Sequence, residues 1–260
     1  MEVNKVYCMD AFKFMARISN KSVDCLITDP PYGIDYQSNS RKIKFSKLKN
    51  DDNLNWLPLF VKEAYRILKE NTHLYCFCRW DVYHIFYKEI SKLFSIKNCL
   101  ILKKRHNSQG DLNSFSTNYE MCIYAQKGKR NLNKVKLLRV SNTTQKDNRY
   151  DGDGWIYRFP ALVDYYNVTP FNLNLKHPTE KTIEIIRFFV LISTGEKDLI
   201  IDPFIGSGTT AVACKQTNRN FIGCDIDQEY VDIANKRLNQ SVLTSIPPTP
   251  LGVGILEEVL

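Results

Sequence analysis

The stretch LIIDPFIGSGTT, residues 199–210, decides the fold of this chain. An apolar run ends there at an aspartate, as a buried strand would, and the helical pattern TTAVACKQ follows. Gly206, Gly208 and Ala211 match G-x-G-x-x-A, and an acid, Asp225, ends the next strand-like run. Glycines at this spacing let the backbone approach a nucleotide cofactor at a helix N-terminus, while the acid accepts ribose hydroxyls. The stretch therefore predicts a cofactor site in an α/β domain, with a strand–helix turn that binds nothing as the alternative.

Apolar runs that suit short strands alternate with helical patterns on both sides of this stretch. One block reaches from the N-terminus to about residue 126, and a second covers residues 178–239. Within the first block, residues 53–70 carry apolar side chains at helical spacing, with Asn53 as the expected N-cap. Strands alternating with helices predict a doubly wound, mostly parallel sheet, and 260 residues suit one large domain with an insertion.

The charge of the chain favours a polyanionic partner. Thirty-six Lys and Arg residues against 28 Asp and Glu residues give a formal net charge of +8. Two basic runs, residues 40–50 and 127–149, carry most of this excess. Solvated loops are the alternative interpretation of such runs.

The eight cysteines indicate reduced thiols rather than disulfides or zinc ligands. Nearly all lie in apolar, strand-like runs, and no C-x-x-C pair occurs. The N-terminal residues MEVNKVYCMD are polar and of mixed charge, unlike a signal peptide, and no apolar run approaches membrane-spanning length. These features predict a cytoplasmic protein, and no metal is expected.

A second unusual stretch, TDPPYGIDY at residues 28–36, follows the apolar run VDCLI. Its two consecutive prolines remove two backbone donors and fix two φ angles, so neither a strand nor a helix continues through them. A rigid turn of this kind either only ends the strand or directs Asp29 and Tyr32 at a ligand. The residues of this stretch alone leave both interpretations open.

Taken together, D-P-P-Y after an apolar strand and D-P-F-x-G-x-G-T-T closely resemble the motifs of amino-group DNA methyltransferases that use S-adenosylmethionine. The order here, with D-P-P-Y first and the glycine stretch last, resembles the β-class of that family. The segments MDAF, NYEMCIYAQKG, HPTEKT and GCDIDQEYVDIANKRL are family-like features in the expected order. The resemblance implies a Rossmann-like methyltransferase fold with permuted motif order and an inserted target-recognition region.

The resemblance covers nearly the whole chain to about residue 240, except residues 127–160, and divides the chain into four segments. They are a catalytic half (1–126), a basic target-recognition region (127–176), a cofactor-binding half (177–240) and a C-terminal tail (241–260) without an assigned role. A dinucleotide oxidoreductase, which the glycine pattern alone also suggests, fits poorly. Only about fifty residues follow Gly208, too few for a Rossmann domain that starts from this turn.

The resemblance implies S-adenosyl-L-methionine as the cofactor and assigns a set of residues to it. Asp202, Phe204, Gly206 and Gly208 would line its methionine and ribose part, Asp225 would accept the ribose hydroxyls, Asp10 would face the adenine amino group, and His177, Thr179 and Lys181 would contact the amino-acid end. The alternatives are a plain strand-end turn for Asp10 and a helix-capping or packing role for His177. Many relatives have proline after that lysine, where this chain has Thr182.

The same resemblance makes D-P-P-Y the catalytic motif. An exocyclic amino nitrogen is a poor nucleophile because its lone pair is delocalised into the ring, and it gains positive charge as it attacks a sulfonium methyl group. The Asp29 carboxylate and the Pro30 carbonyl would accept its two N–H groups and stabilise that charge. Tyr32 would stack on the target base, which must be flipped out of the duplex.

Double-stranded DNA is the implied partner, and residues of the basic segments are the expected contacts. The candidates are Arg41, Lys42, Lys44, Lys104, Arg105, Lys129, Arg130 and Arg158. Trp155, in the middle of the target-recognition region, is either a DNA-reading residue or the centre of a small satellite core.

The resemblance implies a site-specific DNA methyltransferase of the restriction–modification type, and it favours N6-methyladenine as the product because D-P-P-Y is commoner in the adenine enzymes of the family. N4-methylation of cytosine is the first alternative. A catalytically silent DNA-binding partner of another methyltransferase is the second, although intact Asp29, Tyr32, Gly206 and Asp225 argue against it. Relatives of the β-class often dimerise, so a homodimer stays open.

Overall fold

The structure is a computed structural model that describes residues 1–33, 53–103, 119–133 and 183–240. Its strands are β1 (Lys5–Cys8), β2 (Val23–Thr28), β3 (Leu68–Cys78), β4 (Ser95–Lys103), β5 (Tyr119–Lys127), β6 (Leu199–Asp202) and β7 (Asn220–Asp225). Its helices are α1 (Ala11–Met15), α2 (Leu57–Ile67), α3 (Tyr83–Ile90), α4 (Ile183–Ser193), α5 (Thr209–Gln216) and α6 (Gln228–Gln240).

The described strands form one sheet in the order β1-β7-β6-β2-β3-β5-β4. In this spatial order, the neighbouring strands from β1 through β7, β6 and β2 to β3 are all parallel. Only β5 runs the other way, antiparallel to both β3 and β4. The predicted doubly wound, mostly parallel sheet is therefore confirmed. Because β6 and β7 insert between β1 and β2, the two sequence motifs come to lie on neighbouring strands.

Helices cover both faces of this sheet. On one face α1, α2 and α3 bury side chains such as Phe14 and Phe86. On the other face α4 and α5 do the same, with Phe189 as a large member. Strand β2 serves both cores by alternation, since Leu26 faces the first and Ile27 the second. A strand buried on both sides reads as a continuous apolar run, which is how VDCLI looks in the sequence.

The helix expected over residues 53–70 is shorter in the structure, because β3 takes over from α2 at Leu68. The predicted N-cap at Asn53 is wrong, since this residue lies before the helix. Its side-chain oxygen accepts the N–H of Asn55 at 3.0 Å, and its carbonyl accepts Trp56 Nε1 at 3.0 Å. A carboxamide that bonds its own turn two residues on mimics a cap without starting a helix.

Lys127, expected to open the basic region, instead belongs to the core. It is the last residue of β5 and is only 2% exposed. Its Nζ donates to the carbonyl oxygens of Tyr65 and Leu68, both at 2.7 Å, at the C-terminal end of α2. The ammonium group also lies 4.3 Å from the Tyr65 ring centroid and 3.4 Å from Glu70 Oε1. A cation at this position satisfies helix carbonyls and the helix dipole.

Candidate active site

Four aspartates lie at the edge of the sheet where its parallel strands end. Asp202 and Asp225 are the last residues of β6 and β7, Asp29 follows β2 directly, and Asp10 lies two residues beyond β1. The β2–β6 register staggers Asp29 and Asp202 by two residues on adjacent strands, which puts their Cα atoms roughly 8 Å apart. The sheet thus brings the two motifs together at the edge where α/β folds bind ligands.

The D-P-P-Y turn holds its own acid. The Tyr32 hydroxyl donates a hydrogen bond to Asp29 Oδ1. Both side chains are half-buried, and Pro30 between them is buried. Burial, together with the neighbouring Asp29 carboxylate, raises the pKa of Tyr32 well above its ordinary value. The hydroxyl therefore keeps its proton and acts as the donor, so the turn presents a carboxylate that an aromatic residue positions.

Asp202 carries a deeply buried carboxylate, 5% exposed, at the start of the glycine turn. Its Oδ1 accepts the Phe204 N–H at 3.1 Å and its Oδ2 accepts the Thr210 hydroxyl at 2.7 Å. Burial raises the pKa of Asp202 from 3.8 to about 7, although these hydrogen bonds oppose the rise. An acid that titrates near neutrality at this edge would gain from a positively charged ligand.

Close packing explains two glycines, one in the turn and one in the strand beneath it. Gly208 has a φ of +85°, and a Cβ on it would lie 2.7 Å from Cβ of Ala234 in α6. A Cβ on Gly223 of β7 would overlap the side chain of Ile205, because the turn folds directly over that strand. The sequence reasoning identified Gly208 but missed Gly223, although a glycine inside an apolar strand run signals such a close approach.

Arg237 of α6 is a second residue that the sequence reasoning missed. Its Nη1 donates to the carbonyl oxygen and the hydroxyl of Ser207, at 3.0 and 2.8 Å, and lies 3.3 Å from the Thr209 hydroxyl. These bonds tie the glycine turn to the last helix. No local pattern marks this arginine, because its partners lie about thirty residues earlier in the chain.

Asp225 and Asp10 use their carboxylates partly within the fold. Asp225 Oδ2 accepts the Gly206 N–H at 3.1 Å and its Oδ1 accepts the Asp227 N–H at 2.9 Å, while burial raises the pKa of the acid. Asp10 is the N-cap of α1, and its Oδ1 accepts the Phe12 N–H at 3.0 Å. Asp10 therefore has the strand-end turn role that the sequence left open. It follows β1, whose last residue, Cys8, pairs with Asp225 of β7. Its contact with a cofactor stays a prediction.

Phe204 joins an aromatic cluster beside the turn. Its ring centroid lies 5.8 Å from that of Trp56 and 6.0 Å from that of Phe60. Trp56 also meets Phe86 edge-on at 6.2 Å. The cluster links the glycine turn to α2, and half-buried Phe204 and Trp56 leave aromatic surface at the site edge.

Lys129 and Arg130 lie away from the aspartates. They follow β5, whose antiparallel course ends beside the start of β3, about 20 Å from the strand ends near Asp29. The backbone N–H of exposed Lys129 donates to Asn71 Oδ1 at 2.9 Å, and Gln126 Nε2 donates to the Arg130 carbonyl oxygen at 2.7 Å. Contact of these two residues with DNA held at the catalytic motif stays a prediction without structural support.

The other sequence candidates lie outside the described residues. They are His177, Thr179 and Lys181 for the cofactor, and Arg41, Lys42, Lys44, Lys104, Arg105 and Arg158 for DNA, together with Trp155.

Among the described residues, no group of three or more His, Cys, Asp or Glu side chains is placed to hold a metal ion. No helix in this part of the chain has the length and apolar character needed to cross a membrane. The eight cysteines are free thiols, and all but Cys8 and Cys99 are buried as small apolar core residues.

Comparison with known proteins agrees with this geometry. The DNA methylase family model, N6_N4_Mtase, matches residues 23–236, a range that contains both motifs. The Type II methyltransferase M1.MboII of Moraxella bovis is 28% identical over 263 residues, which cover 92% of this chain and 98% of that protein. The DNA adenine methyltransferase YhdJ of Escherichia coli (strain K12) is 25% identical over 248 residues, 88% of this chain and 81% of that protein. The crystal structure of the M1.HpyAVI-SAM complex superposes with a TM-score of 0.63 at 25% identity, covering 90% of this chain and 98% of that one. The match to the family model over most of the chain, with both motifs at one sheet edge, shows that the chain belongs to the N6/N4 DNA methylase family.

Proposed function

We propose that this chain transfers the methyl group of S-adenosylmethionine to the exocyclic N6 of a flipped-out adenine in double-stranded DNA. The observation that carries the proposal is the position of Asp29, with Tyr32 bonded to it, roughly 8 Å from Asp202 of the glycine turn. Family membership and the likeness to a structure solved with this cofactor support the cofactor. The name of YhdJ, a DNA adenine methyltransferase, supports adenine over cytosine.

The residues at the sheet edge fit a positively charged nucleoside. The buried Asp202 carboxylate suits the cationic methionine part, and the Asp225 carboxylate, at the next strand end, suits ribose hydroxyls. The ring of Phe204 adds aromatic surface beside them. When bound, S-adenosylmethionine supplies a methyl group whose bond to sulfur breaks as its bond to the amino nitrogen forms.

The chain's own part in the reaction is electrostatic. As the amino nitrogen attacks, it gains positive charge, and the methylated amino group then loses one proton to water. The Asp29 carboxylate accepts one N–H group and the carbonyl of buried Pro30 accepts the other. Because both acceptors sit in a turn that two prolines stiffen, they need little reorganisation as the charge develops. The side chain of Tyr32 keeps the carboxylate in place and offers its ring to the base.

Expectations about DNA recognition, assembly and location belong to the same proposal. Residues 127–176 remain the candidate target-recognition region, with the reservation that Lys127 serves the fold. A homodimer, a cytoplasmic location and a partner restriction enzyme are proposed from family resemblance. The name "Type II methyltransferase" of the relative M1.MboII supports the last of these.

The test is methyl transfer by the purified chain, followed by sequencing of modified bases in DNA from cells that express it. Unmethylated DNA and radiolabelled S-adenosylmethionine should give incorporation that Asp29→Ala reduces at least 10²-fold, while Asp232→Ala, an exposed acid on α6, leaves it unchanged. The modified base should be N6-methyladenine. Modified cytosine would replace the adenine assignment with the N4-cytosine alternative, and no incorporation by the wild type would refute the enzyme.

A further inference from the structure

Trp80 is a large apolar side chain that the fold leaves uncovered among the described residues. It is 59% exposed, more than any other large hydrophobic residue in this part of the chain. Neither of the two hydrophobic clusters includes it. A single exposed apolar side chain is ordinary on a protein surface, and what distinguishes Trp80 is its place in the fold.

The position of Trp80 is at the catalytic edge of the sheet. It lies two residues after the end of β3, and the β2–β3 register pairs Thr28 with Cys76, which sets Asp29 beside Phe77. The strand spacing then puts the Cα atoms of Trp80 and Asp29 within about 11 Å of each other. The antiparallel partner β5 begins at the same edge with Tyr119, since Met121 pairs with Cys78.

An ion pair holds the turn that carries this ring. Arg79 Nε donates to Asp81 Oδ1 at 3.1 Å and Arg79 Nη2 donates to Asp81 Oδ2 at 2.9 Å. This two-point contact brackets Trp80 and restricts the backbone on both sides of it. The ring is therefore presented at a defined place rather than on a loose loop.

The local charge decides which part of a nucleic acid the ring would meet. Arg79 is neutralised by Asp81, and Glu120 lies beside them at the start of β5. The ion-paired Arg79 offers phosphates little attraction, and the nearest cation that the strand register adds at this edge is Lys103, which ends β4 opposite Tyr119. An aromatic plane, in contrast, stacks on the face of any base, whatever its sequence.

We propose that Trp80 is a DNA-contacting residue that stacks on a base of the DNA next to the target while the target base occupies the site at Asp29. The inference rests on the proposed function, because it takes DNA as the molecule that reaches this edge. It adds a DNA contact within the described part of the catalytic half, because the basic residues expected to contact DNA in that half lie outside the described residues.

The experiment compares Trp80→Ala and Trp80→Phe with Tyr87→Ala, a matched loss of an exposed aromatic residue (45% exposed) on α3. With unmethylated plasmid duplex as the probe, Trp80→Ala should raise the DNA KM about 10-fold or more, because each stacked base contributes appreciably to affinity. Trp80→Phe should recover most of that loss. The affinity for S-adenosylmethionine and the Tm should not change in any of the three variants.

Fluorescence supplies the second measurement. DNA should quench the tryptophan emission of the wild type, and the quenching should be smaller in Trp80→Phe. If that difference persists while the wild type transfers no methyl group, the proposed function fails and the DNA contact stands. Unchanged DNA affinity and quenching in the Trp80 variants would overturn the inference. So would a change only in sedimentation, because Trp80 would then contact a second copy of the chain.

Discussion

Replacing Asp202 with asparagine should remove a proton-dependent part of the stability of the cofactor-free protein. The carboxyl group is 5% exposed, and burial raises its pKa from 3.8 to about 7. Because the folded state binds this proton more tightly than the unfolded chain, the stabilisation is fully present below pH 3.8. It is lost as the pH rises through about 7.

The size of the effect follows from these two values. At pH 5 most folded molecules hold the proton while most unfolded chains have released it, and at pH 8 both states are ionised. The linkage relation then gives a loss of about 2 to 3 kcal/mol in the free energy of unfolding between pH 5 and pH 8. Asp202→Asn lacks this contribution, whereas Asp225, whose pKa burial also raises, is present in both proteins and cancels.

The assay is urea unfolding of the cofactor-free wild type and of Asp202→Asn at several pH values from 5 to 8. The difference between the two free energies should change with pH by the stated amount and should favour the wild type at low pH. A cationic cofactor beside the carboxylate should also bind about 10-fold more tightly at pH 8 than at pH 6 in the wild type only, since binding requires the ionised form. Parallel pH profiles for the two proteins would refute the reasoning.

Three further changes test other parts of the structure. Tyr32→Phe keeps the ring but removes the hydrogen bond to Asp29. In methyl-transfer kinetics kcat should therefore fall roughly 10- to 100-fold, while the DNA KM stays within about 3-fold. An unchanged kcat would contradict a positioning role for Tyr32. Gly208→Ala should cost about 2 kcal/mol in urea unfolding, because of the positive φ and the close contact with Ala234. Gly195→Ala should cost much less, because a Cβ there would lie 3.8 Å from Asp198 Oδ2, an ordinary contact distance. Lys127→Met should lower the free energy of unfolding by about 3 kcal/mol without weakening DNA binding, and equal stability to the exposed control Lys129→Met would argue against the buried cap.

Some features of the fold could be predicted from the sequence because short-range rules produce them. The apolar run before Asp202, the glycine spacing after it and the helical pattern beyond predicted a strand, a turn and a helix, which β6 and α5 confirm. Two prolines after Thr28 likewise end β2, because they can neither donate to a sheet nor continue a helix. Such signals depend only on neighbours in the chain.

Other features were missed because their partners are remote in the chain. Arg237 of α6 donates to Ser207 in the glycine turn, and Lys127 donates to the carbonyl oxygens of Tyr65 and Leu68 at the C-terminal end of α2. In the sequence Lys127 is one cation of the basic run 127–149, and the composition of that run favours contact with DNA. Burial and a hydrogen-bond partner, which decide its role, exist only after the sheet forms.

The sequence by itself therefore determined the class of fold, the two motifs and their order, because periodicity and turn chemistry depend on residues that are close together in the chain. The tertiary structure decided which acids meet. Asp29 and Asp202 become neighbours only because β6 pairs with β2 in a fixed register, and parallel strands carry their ends to one edge. The same pairing buries Asp202 and raises its pKa, whereas the antiparallel pairing of β5 with β3 places Lys129 and Arg130 at the far edge. Proximity and desolvation are properties of the assembled sheet, so no single stretch of residues contains them.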